Sequence, residues 1–141
     1  MSETTGPPDR HVLRLLERHL ADATLVTETV FDPTTHEPRL LHAHLDADRY
    51  PEYVTAARLD VRWFTTGDFS MHYRETHATC TPWACRWDRH PNAHNTRLHF
   101  HEPPDAERTS DLTLASTHPL DVYATVLTAV EQRLDTLWND E

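Results

Sequence analysis

The middle of the chain alternates strictly between apolar and polar residues, and this pattern constrains the fold more than any other feature. From Ala57 to Trp63 every second residue is apolar, and charged residues occupy the positions between them. The alternation resumes over 69–74 after a T-T-G-D turn, and again over 83–88 after a second loop. Because neighbouring side chains of a strand point to opposite faces, the pattern predicts a three-stranded antiparallel meander with one apolar and one polar face.

The polar face of this predicted meander carries charged and imidazole side chains. The same register places Trp63, Trp83 and Trp87 on the apolar face, where we expect them to pack in the core rather than stack on nucleic-acid bases. Asp60 and Asp88 face arginine residues, so we expect both to form ion pairs. The predicted polar face consists of Arg58, Asp60, Arg62, His72, Arg74, Arg86 and Asp88.

Both ends of the sequence predict helices. Apolar residues at helical spacing follow Asp9, a residue suited to cap a helix, as far as about Ala21. Towards the other end, Pro119 suits the first position of a second amphipathic helix that ends at about Trp138. Each helix has one apolar stripe, so we expect both helices to pack on the apolar face of the sheet.

Further strands are predicted on both sides of the meander, over 24–31, over 39–45 and, as a short segment R-L-H-F-H, over 97–101. The predicted fold is therefore α+β, with an antiparallel sheet of about five to six strands, a central meander, and an N-terminal and a C-terminal helix. We expect residues 9–141 to form a single domain and the polar residues 1–8, with two prolines, to form a disordered tail.

The chain is strongly acidic, with a net charge of −10 over 141 residues, and all 13 of its basic residues are arginine. Acidic surfaces keep proteins hydrated in molar salt, and the absence of lysine favours that interpretation over a surface for a basic partner. No apolar run approaches the roughly 20 residues of a membrane-spanning helix, and the N-terminus lacks the apolar core of a secretory signal. We expect a cytoplasmic, halophilic protein with Cys80 and Cys85 as reduced thiols, Cys85 in the core.

Residues 86–101 form a basic island in this acidic chain. They hold four histidines, three arginines and one acidic residue, a charge of +2 with neutral histidine, whereas the other 125 residues carry −12. Such a concentration of positive charge has no evident structural benefit, so this segment is the candidate functional site. His42 and His44, on a neighbouring predicted strand, are expected to face solvent instead.

The first hypothesis for this segment is metal-free cleavage of RNA. That reaction needs a base for the 2′-hydroxyl proton, an acid for the leaving oxygen and a cation for the charge on the phosphate. Histidine suits the first two roles because it titrates near neutral pH, and the arginine fork matches phosphate oxygens. The predicted catalytic residues are His99 and His101 as the acid–base pair, His90 and His72 as the next candidates, and Asp88 to orient a histidine. The predicted substrate-binding residues are Arg74, Arg86, Arg97 and His94.

Other interpretations of the segment stay open at this point. The nuclease hypothesis needs no cofactor, but His90, His94, His99 and His101 have spacings that could hold a transition metal. The same Arg/His-rich surface could bind nucleic acid or an acidic partner without catalysis, as a regulatory module. Individual histidines could also serve only to hydrogen-bond loop backbone.

Two stretches, D-V-R-W-F-T-T-G-D-F-S-M-H-Y-R-E-T-H and W-A-C-R-W-D-R-H-P-N-A-H-N-T-R-L-H-F-H-E-P-P, resemble a family of small haloarchaeal proteins over roughly residues 57–138. More distantly, R-W-D-R-H-P-N-A-H with its closing H-F-H is similar to the TumE-like toxin family of toxin–antitoxin modules. Members of that family are small α+β proteins with a Pro-His pair and a closing histidine-rich cluster.

The second resemblance implies a toxin with a nucleic-acid target and a cognate antitoxin as the protein partner, and RNA is the target that the cleavage hypothesis expects. The family pattern usually closes with a lysine among its histidines, and this sequence has no lysine. Arg97 would have to substitute for it. On this resemblance the family's signature positions are Asp88, His90, His94, His99 and His101.

Overall fold

A computed structural model describes residues 6–90 and 98–139. These residues form two helices, seven strands and one 3₁₀ turn, Ala47–Arg49. The helices are α1 Arg10–Asp22 and α2 Pro119–Asn139. The strands are β1 Val26–Asp32, β2 Leu40–Leu45, β3 Val54–Trp63, β4 Phe69–His77, β5 Trp83–Arg89, β6 Leu98–His101 and β7 Thr109–Asp111.

Helix α1 begins at the predicted cap. The Asp9 carboxylate accepts a hydrogen bond from the backbone N–H of Val12 at 3.2 Å, which satisfies one of the free N–H groups of the first turn. The apolar stripe of α1 is buried, with Leu13, Leu16 and Leu20 at most 1% exposed. The predicted N-terminal helix and its packing face are therefore confirmed.

The strands form one antiparallel sheet in sequence order, β1 to β7. The β3–β4 hairpin turns at Gly67, whose φ of +88° is in the region that glycine adopts without steric cost. Trp63 pairs with Phe69 across this hairpin, and Met71 pairs with Trp87 on β5. The predicted meander is confirmed with its alternation intact.

The prediction of five to six strands is wrong, because the sheet has a seventh strand at its end. Strand β6 matches the predicted segment 97–101, although Arg97 lies outside the described residues. The missed strand is β7, whose three residues T-S-D are all exposed. A strand this short with no apolar alternation leaves no signal in the sequence, since only backbone pairing with β6 defines it.

The core lies between the apolar face of the sheet and the two helices. Buried residues of α1 and α2 belong to the same cluster as alternate residues of β2 to β5, as expected for a sheet covered on one face. Trp63 and Trp87 are buried, Trp83 is partly buried, and Cys85 is only 4% exposed. The predicted core positions of the tryptophans and of Cys85 are confirmed.

A charged network lies buried beneath α2. Glu75 on β4 is fully buried, and its carboxylate accepts hydrogen bonds from Nε and Nη2 of Arg133 on α2 at 2.8 and 2.9 Å. The Tyr73 hydroxyl at 2.7 Å and Nε2 of His77 at 2.9 Å donate to the same carboxylate. Burial raises the pKa of Glu75, but these hydrogen bonds outweigh it, so the pKa lies below its usual value. The network connects α2 to strand β4 of the sheet.

Part of the predicted N-terminal tail contacts the sheet. Residues 1–5 lie outside the described residues, whereas the carbonyl of Pro7 accepts a hydrogen bond from the N–H of Thr65 at 2.9 Å. Pro8 also forms a bridge with Phe64, beside the β3–β4 turn. Neither of the two described helices is long and apolar enough to span a membrane.

Candidate active site

The face of the sheet opposite the two helices gathers polar side chains from six strands into two adjacent rows. Antiparallel register sets these rows, because directly paired residues place their side chains next to each other on one face. We call this surface the polar face. Its first row is His42, Asp60, His72, Arg86, His101 and Thr109. Its second row is Arg62, Ser70, Asp88, His99 and Asp111.

Asp60 forms a hub in the first row. Its Oδ1 lies 2.6 Å from Nδ1 of His42 and 2.9 Å from Nε of Arg58, and its Oδ2 lies 3.4 Å from Nε of Arg74. Asp60 is only 7% exposed, so these basic groups compensate a carboxylate that has lost most of its contact with water. The predicted ion pairing of Asp60 with arginine is confirmed.

The expectation that His42 faces solvent is wrong. Its side chain is 18% exposed, because Asp60 holds one ring nitrogen and Asp32 on β1 lies 3.4 Å from the other. His44, two residues further along β2, is partly buried. His42 is thus the end of the first row rather than a freely solvated surface residue.

Asp88 and His101 form a second carboxylate–imidazole pair on the polar face. Asp88 is 6% exposed, and its Oδ2 lies 2.8 Å from Nε2 of His101 and 3.1 Å from Nε of Arg86. Since an ionised carboxylate only accepts hydrogen bonds, Nε2 of His101 carries the proton and Nδ1 is left as an acceptor. Nη2 of Arg86 lies 3.2 Å from that Nδ1 and 3.0 Å from Nε2. Because a guanidinium only donates, its hydrogen bond in this tautomer goes to Nδ1. Asp88 therefore pairs with arginine as predicted and also fixes the tautomer of His101.

His99 and His90 stack on each other on the other side of Asp88. Their ring centroids are 4.9 Å apart at an interplanar angle of 16°. His99 is the direct cross-strand partner of Asp88, and Nε2 of His90 lies 3.8 Å from Oδ1 of the same carboxylate. Three of the histidines predicted to be catalytic, His90, His99 and His101, therefore converge on one buried carboxylate.

His72 occupies the centre of the first row but has different electrostatics. Its Nδ1 lies 3.3 Å from Nη2 of Arg74 and accepts a hydrogen bond from it. Burial, followed by the charges of Arg74 and Arg86, lowers the pKa of His72 to about 4. At neutral pH His72 is therefore uncharged and lacks the additional proton that a general acid gives up.

Unpaired buried polar atoms are concentrated on the polar face. Among the described residues, the buried side-chain nitrogens and oxygens without a hydrogen bond belong to Arg58, His72, Asp88 and His99. Nε of Arg58 is close to Asp60 but out of line for a hydrogen bond. Each unpaired buried polar atom costs about 1–3 kcal/mol. Hydrogen bonds to a ligand would explain why this one surface tolerates several of them.

A concavity of about 250 Å³ opens within the two rows. Arg62, Arg74 and Arg86 line it, together with His72 and the largely neutralised Asp60. Three guanidinium groups around one depression create a positive potential in an otherwise acidic protein. Their planar forks suit phosphate or carboxylate oxygens.

Two of the predicted binding residues, His94 and Arg97, lie outside the described residues. The metal-site hypothesis includes His94 and so stays a prediction. Within 6–90 and 98–139, no three His, Cys, Asp or Glu side chains are grouped so as to hold a metal ion.

The sequence places Arg62 on the polar face. The predicted site nevertheless lacks Arg62, Ser70 and His42. The available signal was the register of the β3–β4 hairpin. Counting outward from the T-T-G-D turn pairs Arg62 with Ser70 and then Asp60 with His72. That count aligns the residues of β3 and β4, and the β4–β5 register then places Arg86 beside His72.

Comparison with known proteins identifies the family. The model of a family described as Toxin TumE matches residues 12–134, a range that contains all seven strands and the candidate site. No curated protein and no solved structure matches the chain. The resemblance to haloarchaeal proteins stays a prediction. Because the family model spans most of the chain, the protein belongs to the TumE toxin family.

Proposed function

We propose that the protein is a toxin that cleaves RNA by metal-free acid–base chemistry on the polar face. The observation that carries this proposal is the Asp88–His101 pair, a buried carboxylate 2.8 Å from an imidazole. Arg86 contacts both members of the pair and also lines the concavity. An oriented base beside a phosphate-binding cation is the minimal requirement of 2′-hydroxyl activation.

In the proposed reaction His101 is the general base. Its Nδ1 takes the proton of the 2′-hydroxyl, and the resulting imidazolium is stabilised by Asp88 through the proton on Nε2. In the resting protein Nη2 of Arg86 lies 3.2 Å from that Nδ1 and 3.0 Å from Nε2. When Arg86 turns to a phosphate oxygen of the substrate, Nδ1 becomes free to act. Substrate binding and activation of the base are thereby coupled.

The acid in this proposal is His99, with His90 as the alternative on the same stack. A protonated imidazole would give its proton to the 5′ oxygen that leaves, while the 2′ oxygen bonds to phosphorus as a cyclic phosphate. Asp88 is the direct cross-strand partner of His99, and its Oδ1 lies 3.8 Å from Nε2 of His90. Neither a metal nor an organic cofactor takes part in this scheme.

Arg74 and Arg86 are the proposed phosphate ligands. Both line the concavity, and Arg62 adds a third guanidinium to its lining. His72, neutral because its pKa is lowered to about 4, is proposed as a hydrogen-bond donor to a phosphate oxygen rather than as the acid. Its unpaired Nε2 would gain its missing partner in this way. His94 and Arg97 remain proposed ligands in the basic island.

A cleavage assay tests the proposal. Protein without a polyhistidine tag is incubated with RNA at low salt and in molar potassium chloride, with and without EDTA. We expect cleavage that survives EDTA and that falls by on the order of 100-fold or more in His99→Gln and in His101→Gln. The matched control is His36→Gln, at an exposed histidine in the β1–β2 turn. Cleavage unchanged in both site variants would overturn the proposal, and cleavage abolished by EDTA would favour the metal hypothesis.

The second candidate function is a regulatory module that binds RNA or an acidic partner without catalysis. The neutral state of His72 and the engagement of both ring nitrogens of His101 favour it. Protein that retains RNA in a mobility assay without shortening it, and loses this binding in Arg74→Gln and Arg86→Gln, would support the module over the nuclease.

A cognate antitoxin is the proposed protein partner, as membership of a toxin family suggests. An acidic segment of such a partner would complement the three arginines of the concavity. If it does, replacement of Arg62, Arg74 or Arg86 by Gln weakens binding in a co-purification experiment. We place this activity in the cytoplasm, where both an RNA substrate and a neutralising partner would be present.

A further inference from the structure

A second cluster of reactive side chains lies at the end of β4, on the opposite side of the sheet from the polar face. Strand β4 ends at His77, and Cys80 follows in the connection to β5. The Sγ of Cys80 lies 3.4 Å from Nδ1 of His77. Nε2 of His77 lies 2.9 Å from Oε1 of the buried Glu75. A thiol, an imidazole and a carboxylate are therefore linked by two consecutive hydrogen bonds.

The carboxylate fixes the proton arrangement of this series. Glu75 is fully buried, and Arg133, Tyr73 and His77 all direct hydrogen bonds to it, which keeps the pKa of Glu75 below its usual value despite burial. An ionised carboxylate can only accept, so the proton of neutral His77 resides on Nε2. Nδ1 of His77 is then an acceptor, and the atom that faces it is the Cys80 thiol.

His77 is held in this orientation from two sides. Its side chain is only 9% exposed, and its ring packs against Tyr53 with centroids 5.8 Å apart. The Cys80 thiol is itself exposed. A base locked in place beneath an accessible thiol is the arrangement by which proteins activate a cysteine nucleophile.

The other cysteine provides a contrast within the same molecule. Cys85 is 4% exposed on the apolar face of β5, and burial raises the pKa of its thiol to about 12. The two thiols are five positions apart, yet only Cys80 combines access from solvent with a neighbouring imidazole.

We propose that Cys80, His77 and Glu75 form a thiol site that exchanges with small-molecule disulfides. The thiol proton passes to Nδ1 of His77, and Sγ attacks one sulfur of the disulfide. A bond forms between Sγ and that sulfur while the original sulfur–sulfur bond breaks, and the departing thiolate takes the bonding electron pair and then the proton from His77. Cys80 is left as a mixed disulfide, and one small thiol is released.

This site does not depend on the proposed cleavage of RNA. Glu75 and His77 lie on β4 and Cys80 follows that strand, on the opposite side of the sheet from the proposed nuclease residues. Either proposal can therefore fail without the other, and the tests use different readouts.

The experiment measures the rate at which native protein reacts with 4,4′-dithiodipyridine, a neutral disulfide chosen because the protein carries a charge of −10. We expect one thiol per chain to react at pH 7 on the order of tenfold faster than N-acetylcysteine, because Nδ1 of His77, 3.4 Å from Sγ, is placed to accept the thiol proton as Sγ attacks. The fast reaction is lost in Cys80→Ser. In His77→Gln the rate falls to that of N-acetylcysteine, whereas His36→Gln keeps the wild-type rate.

Cys85 reports on the fold in the same assay, because it reacts only when the core opens. The proposal is supported if Cys80 reacts slowly in His77→Gln while Cys85 stays protected from the disulfide. Wild-type Cys80 that reacts no faster than N-acetylcysteine would overturn it, and this comparison needs no variant. The proposal is equally overturned when His77→Gln keeps the fast rate with Cys85 protected.

Discussion

Asp88 on β5 hydrogen-bonds to His101, its diagonal neighbour on β6, at 2.8 Å, although its direct cross-strand partner is His99. One carboxylate therefore lies between two histidines of the same strand face. It fixes the tautomer of one of them and lies directly across from the other. That relationship is the basis for assigning different roles to the two imidazoles.

Replacement of Asp88 by Asn tests this relationship. The amide can donate a hydrogen bond to Nε2, which would favour the tautomer with the proton on Nδ1 and remove the acceptor that the base needs. We expect RNA cleavage to fall by on the order of 10²–10⁴-fold, measured with the same oligonucleotide as for the wild-type protein. The matched control is Asp32→Asn, whose carboxylate lies 3.4 Å from His42 at the other end of the first row. Equal losses in the two variants would contradict a specific role for Asp88.

The pH dependence of stability tests the environment of His72. Its pKa is lowered from 6.5 to about 4 in the folded protein, so the unfolded chain takes up this proton first as the pH falls. Stability is therefore lost between about pH 6.5 and pH 4, and it is fully present above this window. His72→Gln should lose less stability than the wild-type protein between pH 7 and pH 4.5, as measured by urea unfolding. Parallel losses in both proteins would show that His72 titrates normally.

The buried pair Glu75 and Arg133 should dominate the attachment of α2. Glu75→Gln leaves the guanidinium without its charged partner, and we expect a loss of about 3–5 kcal/mol in the free energy of unfolding. The control is Glu37→Gln, at an exposed ion pair 3.8 Å from Arg10, for which we expect a loss of less than about 1 kcal/mol. Urea unfolding measures both.

Protonation of Glu75 should cause a further loss of folding stability at acidic pH. Because the folded pKa of Glu75 lies below its ordinary value of 4.5, its contribution is present above that pH and disappears as the pH falls through the folded pKa. The pH dependence below 4.5 should be weaker in Glu75→Gln than in the wild-type protein. A variant that loses stability as steeply as the wild-type protein there would contradict the assignment.

The β3–β4 hairpin should be sensitive at Gly67 for a backbone reason alone. A Cβ at this position would meet Nη1 of Arg89 at 3.5 Å, an ordinary contact, but the φ of +88° is strained for residues with a side chain. We expect Gly67→Ala to lower the free energy of unfolding by about 1 kcal/mol. Gly67→Asn should lose less, because asparagine enters the left-handed region more readily. Indistinguishable unfolding midpoints for the two variants and the wild-type protein would rule out this explanation.

Much of the fold was predictable because it depends on local periodicity. The capping position of Asp9 and the alternation in β3, β4 and β5 are local signals, and the structure confirms them. Strand β7 has no such signal, since its three residues are all exposed. The alternation of β4 continues from Tyr73 to Glu75 and places Glu75 on the apolar face. The sequence does not reveal its partner, because Arg133 lies 58 positions away.

The candidate site was predictable in composition but not in geometry. The basic island pointed to Asp88 and the histidines around it. It could not show that Asp88 would orient His101, because that contact depends on how β5 and β6 are aligned. It also could not show that His72 would be neutral, since the cause is burial between arginines of two neighbouring strands. These properties arise from the packing of the sheet.

The most direct test of the central claim is the chemistry of the cut ends. The protein is incubated in EDTA with an oligonucleotide that has a single ribonucleotide among deoxyribonucleotides, and the products are analysed by mass spectrometry. If His101 activates the 2′-hydroxyl, the wild-type protein cuts after that ribonucleotide and leaves a 2′,3′-cyclic phosphate, whereas His101→Gln and a 2′-O-methyl substrate give no cut. Products with 3′-hydroxyl ends, or cleavage that persists with the 2′-O-methyl substrate, would contradict the account.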